Sequence, residues 1–206
     1  MKTVITISRQ YGSGGREIGK KLADQLGIPF YDNEIISRAA KDTGFSEAAF
    51  ESVEDKATNS LLYSIAMGMN VFTSQDTGFA GLSLDDRIFL AQSNVIRKVA
   101  EEGACVIVGR CADYVLKDRK DCLNVFIYAD KGFRAERIVK QYGESNIEPE
   151  KRLADKDKKR KLNYKYFTER DWGRRENYHL SIDSGFLGIE KAVALIVSAA
   201  GGVFNE

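Results

Sequence analysis

The chain has little that would mark it as a secreted, membrane-bound or metal-held protein. Its three cysteines, Cys105, Cys111 and Cys122, are odd in number and lack paired metal-ligand spacing, so they read as reduced thiols acting as small buried hydrophobes. The single histidine, His179, falls inside a predicted strand and reads as a packed or edge residue rather than a catalytic base. No apolar run approaches about 18 residues and no signal-peptide pattern precedes the first strand, so a soluble, cytoplasmic protein without a membrane partner is expected. A net charge of +1 and a pI near 7.6 give no reason to expect polymeric nucleic acid as a partner. The sequence shows no internal repeat and no low-complexity linker. Its 206 residues with 43% hydrophobic content suit one well-buried domain over 1–206.

One further absence shapes the reading. Residues 5–23, ITISRQYGSGGREIGKKLA, read as strand, glycine-rich loop and helix. Gly12, Gly14 and Gly15 permit backbone conformations in which successive amides converge on one anion. Ile18, Leu22 and Leu26 then recur at helical spacing, so the loop empties into a helix N-terminus that favours phosphate. The full P-loop pattern is G-x-x-x-x-G-K-[ST], whereas this chain offers Arg9-x-x-x-x-Gly14-Gly15-Arg16. The lysine slot holds Gly15, Arg16 is the nearest cation, and the hydroxyl that ligates magnesium is missing. A glycine turn serving geometry alone is the plainer alternative.

The rest of the chain alternates strands and helices. Phe30-Tyr31 reads as a second strand, with Asp32 or Asn33 able to cap a helix bearing Ile35, Ile36, Ala39 and Ala40. Ser46 can cap a further short helix, and Leu61 to Met69 makes an amphipathic segment, followed by a glycine-bearing loop to Ser83. Ser83 with Asp86 forms a capping-box start for a long helix to Glu102. Ala104–Val108 and Leu123–Ala129 are apolar without alternation, as in parallel strands buried on both faces. Asp130 can cap the helix after the second of them, and Tyr178–Asp183 gives a last strand before an alanine- and valine-rich closing helix. Such alternation predicts an α/β fold with a mostly parallel sheet, whose ligands bind beyond the carboxyl ends of the strands. Residues 8–16, Asp32, Arg110, Asp130 and Asp183 each follow a predicted strand, so that edge can gather them.

Chemically, this set suits phosphoryl transfer, which asks a protein mainly for positioning and positive charge. Arg38 and Arg110 can each grip a phosphate bidentately. Between Glu150 and Arg170 nine basic residues face four acidic ones, and the run Lys156 to Arg160 can close over the site. The plainer alternatives are a helix cap for Asp32, surface ion pairs for Arg38 and Arg110, and a solvated helix for 150–170. Trp172, Tyr164, Tyr166 and Phe167 can stack a base, but packing of the basic segment onto the core explains them as well.

These residues resemble the cytidylate kinase-like family of P-loop nucleoside monophosphate kinases, over nearly the whole chain. The segment Asp32-Asn-Glu-Ile-Ile-Ser-Arg38 matches the family's D-x-x-x-x-x-R. Gly109-Arg110 matches its Gly-Arg pair, and Asp155-Lys-Asp157-Lys158-Lys159-Arg160 is similar to its lid stretch. The resemblance implies a P-loop kinase fold: a mostly parallel five-stranded sheet flanked by helices, with a helical acceptor-binding region (32–102) and a mobile lid (144–170). It implies an ATP- and magnesium-dependent kinase that phosphorylates a nucleoside monophosphate, with cytidylates (CMP or dCMP) as the expected acceptors. Gly12, Ser13, Gly14, Gly15 and Arg16 would bind the ATP phosphates. Arg38, Arg110 and Asp157 would bind the acceptor, Lys158 and Arg160 would serve the lid, and Arg16, Asp32 and Arg160 would be catalytic. Asp32 would reach magnesium through water. The departures are Gly15 in the lysine slot, Cys111 with Asp113 two places on where an acidic residue follows Gly-Arg, and an unfamiliar stretch over 46–83. A nucleotide-binding regulator with little transfer activity, or a kinase for another small molecule, are the rival expectations, and apolar positions in 61–72 can form a homodimer surface.

Overall fold

A computed structural model describes residues 3–50 and 82–203. Five parallel strands stand in the spatial order β2-β3-β1-β4-β5. They are β1 (Val4–Arg9), β2 (Phe30–Tyr31), β3 (Cys105–Val108), β4 (Cys122–Tyr128) and β5 (Leu180–Asp183). The central strands are mostly β-branched and other apolar residues, buried except at Arg9 and Tyr128 where β1 and β4 end, which is what a sheet covered on both faces requires. The helices are α1 (Gly15–Leu26), α2 (Glu34–Thr43), α3 (Leu84–Glu102), α4 (Ala112–Val115), α5 (Lys131–Tyr142), α6 (Pro149–Thr168), α7 (Ser184–Leu187) and α8 (Ile189–Val203).

Alternation along the strands splits the core in two. Val4, Cys105 and Ile107 face α2 and α3, which contribute Ile35, Ala39, Ile88 and Ile96. Ile5, Ile7, Val106 and Val108 face α1 and α8, which contribute Ile18, Leu22, Val193 and Ile196. Ile5, Ile7, Ile18 and Leu22 are fully buried, each worth roughly 1.5–3 kcal/mol of burial. One polar pair interrupts this interior: Thr6 donates its hydroxyl to Asn124 Oδ1 at 2.7 Å, and both partners are thereby satisfied.

Local signals decide where helices begin. Asp130 accepts from the Phe133 amide, Ser83 and Asp86 form the reciprocal capping box, and Ser46 Oγ accepts from the Ala49 amide. At α2 the cap position is Asn33 with no side-chain cap bond, so Asp32 is not a helix cap and its carboxylate is committed elsewhere. Strand β5 opens at Leu180, one residue after His179. His179 Nδ1 accepts from the Asn124 amide at 2.9 Å and its own amide donates to the Asn124 carbonyl, the edge role expected of it. Trp172 meets Phe126 edge-on, Phe167 stacks on Phe89 and Tyr164 is buried, so these aromatics pack inward, while Tyr166 is exposed. The three cysteines are free and buried, and burial pushes the Cys105 and Cys122 thiols up to about 12. Among the described residues no helix is long and apolar enough to cross a membrane. The amphipathic segment at 61–69, most of the following loop and the surface at 61–72 lie outside the described residues.

Candidate functional site

The sheet order fixes where a site can form. β1 and β3 are neighbours whose outgoing connections leave in opposite directions, one toward β2 and the other toward β4, and the crevice beyond such a pair is where ligands of open α/β sheets bind. The turns after these two strands, with Asp32 after β2, meet there.

The turn after β1 is built by glycine. Gly12 and Gly14 both have φ near +80°, a region open to glycine and strained for other residues. Gly14 is the cap of α1 and offers no side chain, so the leading amides of that helix have no side-chain cap. The loop is pinned from below: Ser184 Oγ donates to the Ser13 carbonyl at 2.6 Å and Ser13 Oγ to the Gln10 carbonyl at 2.9 Å. Ser13 is fully buried, so its hydroxyl secures the loop while the loop's shape faces the crevice.

Asp32 organises the cations around this turn. Its carboxylate accepts from Arg16 Nε at 2.6 Å and lies 3.8 Å from Arg9 Nη2. Its backbone carbonyl accepts from Arg110 Nε at 3.3 Å. Arg110 comes from a strained turn: Gly109, Arg110 and Cys111 all have φ between +54° and +79°.

Helix α6 lies across the top. Arg160 Nη1 donates to the Arg9 carbonyl at 3.0 Å, with its guanidinium 5.6 Å from the Tyr11 ring centre. Asp157 accepts from the Tyr11 amide at 2.7 Å and from Arg134 Nη1 at 2.5 Å. Tyr164 donates to Asp113 at 2.6 Å, and Asp113 also accepts from Ser8 Oγ. Burial pushes the Asp113 carboxyl upward, against the pull of these hydrogen bonds. Asp157, Arg160 and Tyr164, spread over about two turns of α6, therefore tie it to the end of β1 and the turn that follows, Tyr164 through Asp113.

Two cavities flank this tie. One, of about 610 Å³, runs along Tyr11, Gly12, Gly14, Gly15 and Arg16 toward Arg137 and Tyr142. The other, of about 150 Å³, is lined by five cations, Arg9, Arg110, Lys156, Lys159 and Arg160, beneath Tyr164. Lys156, Lys159, Arg160 and Asn163 line it because spacings of three and four place them on one helix face. Arg9 and Arg160 are the residues common to both linings.

Of the residues expected from the sequence, the structure brings Gly12, Gly14, Gly15, Arg16, Asp32, Arg110 and Arg160 to one place. It puts three others elsewhere. Arg38 pairs with Glu34 and Glu102 and lies over the Tyr31 ring. Lys158 is exposed, and Asp157 is held between the Tyr11 amide and Arg134. Given no role in the sequence reading were Arg134, Arg137, which pairs with Glu17, and above all Arg9. Only Arg9 carried a signal, its place among residues 8–16 directly after the predicted first strand.

The glycine turn offers no side-chain ligand for magnesium: Arg16 stands where the ligating hydroxyl would be, and Asp32, with Oδ2 taken by Arg16, has only Oδ1 to offer to a metal-bound water. Among the described residues no group of three His, Cys, Asp or Glu is suited to a metal.

Comparison with known proteins agrees with this geometry. The sequence profile of the cytidylate kinase-like family matches residues 4–185. A cytidylate kinase of Aeropyrum pernix is 24% identical over 195 residues, covering 94% of this chain and 96% of its own. The crystal structure of an uncharacterized protein from Eubacterium ventriosum has a TM-score of 0.70 at 26% identity, covering 97% of this chain and 99% of its own. Shikimate kinase from Acinetobacter baumannii, at 16% identity, shares the fold with a TM-score of 0.53, covering 100% and 96%. The fold is that of the P-loop kinases.

Proposed function

We propose, because this chain belongs to the cytidylate kinase-like family, that it moves the γ-phosphoryl group of ATP onto a nucleoside monophosphate, with a cytidylate as acceptor. The observation that carries the reading is the pair of cavities meeting at Arg9 and Arg160. A donor triphosphate lying along the glycine turn and an acceptor phosphate in the smaller cationic cavity would face each other across those two guanidiniums.

In this arrangement the uncapped amides of α1 and the positive end of its dipole hold the donor phosphates. Arg110, aimed by its strained turn, holds the acceptor phosphate bidentately. Asp32 is a positioning residue that keeps the surrounding arginines in register. Helix α6 excludes water and presents Arg160 to the charge that develops in transfer. Magnesium enters with the nucleotide as part of the substrate. Arg38, paired on α2, and Lys158 would take part only after a rearrangement of α2 or the lid, while Asp157 holds that lid to Tyr11.

The test is ADP release from Mg·ATP by purified protein, with CMP, dCMP, UMP, AMP and GMP supplied separately beside a control without acceptor. Turnover with cytidylates alone is the expected result. Silence across the panel from folded protein that binds ATP would replace this reading with a nucleotide-binding regulator or an acceptor outside nucleotides.

A further inference from the structure

A P-loop without its lysine has either lost the cation that bridges the terminal phosphates or moved it. The geometry points to the second: we infer that Arg9 supplies the missing charge from the end of β1, taking the lysine's part toward the donor's terminal phosphate. This rests on the functional reading above and deepens it.

Three observations carry the assignment. First, the lysine slot is already filled. A Cβ built on Gly15 would lie 2.5 Å from Arg9 Cβ and 2.9 Å from Arg9 Cγ, closer than real side chains approach, so the stem of Arg9 occupies the space where a lysine at 15 would start. The glycine follows from the arginine. Second, the guanidinium is carried into the crevice between the two turns: a Cβ on Gly109 would overlap Arg9 Nη1, so glycine after β3 leaves it room. Third, Arg9 lines both cavities, which is where a cation must sit to touch a phosphoryl group in transit.

Arg16, the other candidate, is placed differently. It holds Asp32 at 2.6 Å through Nε, and its side chain is 65% exposed. Arg9 lies 3.8 Å from the same carboxylate with a side chain 19% exposed. Asp32 thus takes the shorter contact from Arg16 and the longer one from Arg9. A guanidinium here keeps its charge at every working pH and offers two phosphate oxygens a fixed planar fork, where an ammonium acts as a compact point charge with freely rotating donors.

The experiment measures binding of Mg·ATP, Mg·ADP and AMP to wild-type protein and to Arg9→Met, Arg16→Met and the double variant Arg9→Gly with Gly15→Lys, glycine being needed because the Cβ of residue 9 itself lies 2.5 Å from a Cβ at 15. Arg9→Met keeps a stem over Gly15 and removes the charge, so the fold has no reason to fail, and a thermal melt verifies it. The expected result is a loss of about 10- to 100-fold in ATP affinity for Arg9→Met, the size of a lost charge-assisted hydrogen bond, with AMP unchanged. Arg16→Met is expected to lose less. The double variant, its slot cleared of the arginine stem, should regain much of the ATP preference. ATP affinity unchanged in Arg9→Met, a larger loss in Arg16→Met, or a folded double variant no better than Arg9→Met would each overturn the assignment while leaving the kinase reading in place. Wild-type protein that binds no nucleoside triphosphate would overturn both.

Discussion

The turn after β1 and the turn after β3 lie side by side at one edge of the sheet and use unusual backbone for opposite ends. In the first, both positive-φ positions are glycine, and the product is a curve of main chain leading into an uncapped helix. In the second, one glycine is followed by two residues with side chains, Arg110 and Cys111, held at φ 56° and 54°. Such positions cost of order 1–3 kcal/mol each and persist only where their surroundings fix them. Here Cys111 is buried and Arg110 is bonded to the Asp32 carbonyl. One turn presents amides at little strain, and the other accepts strain to aim a guanidinium. Recognition of a donor polyphosphate by shape and of an acceptor phosphate by a single directed cation would account for the contrast.

The strongest way to break this comparison is to leave both turns intact and remove what closes over them. Arg160 belongs to neither turn, yet it touches the first through the Arg9 carbonyl and lines the cavity beside the second. Arg160→Ala should lower kcat by roughly a thousandfold, about 4 kcal/mol of transition-state stabilisation, if its charge acts only during transfer. Nucleotide binding and thermal stability should change little, since the helix stays anchored by Leu153, Tyr164 and the Asp157–Arg134 pair. Steady-state kinetics beside a thermal melt would show it. A variant retaining most of its kcat would mean that the two turns suffice without the lid.

A smaller effect is expected from giving the first turn a side chain. At Gly12 a Cβ would lie 2.8 Å from the Arg134 carbonyl oxygen and 2.9 Å from Ile138 Cγ2, with φ at +80°. Gly12→Ala should therefore cost about 1–3 kcal/mol in urea unfolding, because backbone and a packed isoleucine cannot both give way. A loss below about 0.5 kcal/mol would show that this turn tolerates distortion, as ordinary surface positions do.

Much of the fold was legible because its signals are local. Ala104–Val108 is apolar without alternation, and only a strand covered on both faces has use for that. Asp130 and the Ser83–Asp86 pair mark helix starts through bonds to amides three residues away. The site was legible only as far as it is made of residues that directly follow strands: Arg16, Asp32 and Arg110 met as expected. What escaped depends on side-chain direction over long separations. Arg134 reaches Asp157 and the Tyr11 carbonyl from α5, and no spacing in the sequence announces it. Arg38 sits at the expected distance from Asp32 in the chain, yet Tyr31 and two glutamates hold it on α2. Arg9 was visible throughout as the residue before a lysine-less loop, but its meaning required seeing that its stem fills the space beside Gly15.

The finest division of the comparison is within Arg110 itself, where strain and charge can be separated. Arg110→Ala and Arg110→Gly both remove the guanidinium and its bond to Asp32, but alanine at φ 56° keeps the left-handed penalty that glycine escapes. Both should raise the acceptor KM by about tenfold or more, equally, since each loses the same charge-assisted contact. The glycine variant should be the more stable of the two by about 1 kcal/mol in urea unfolding, the left-handed cost less glycine's extra unfolded-state entropy. Equal stabilities would mean the turn after β3 is not strained by its side chain, and the contrast with the glycine-built turn would then be one of chemistry alone. Unequal acceptor KM values would instead show that the shape of this turn, and not only its cation, places the acceptor.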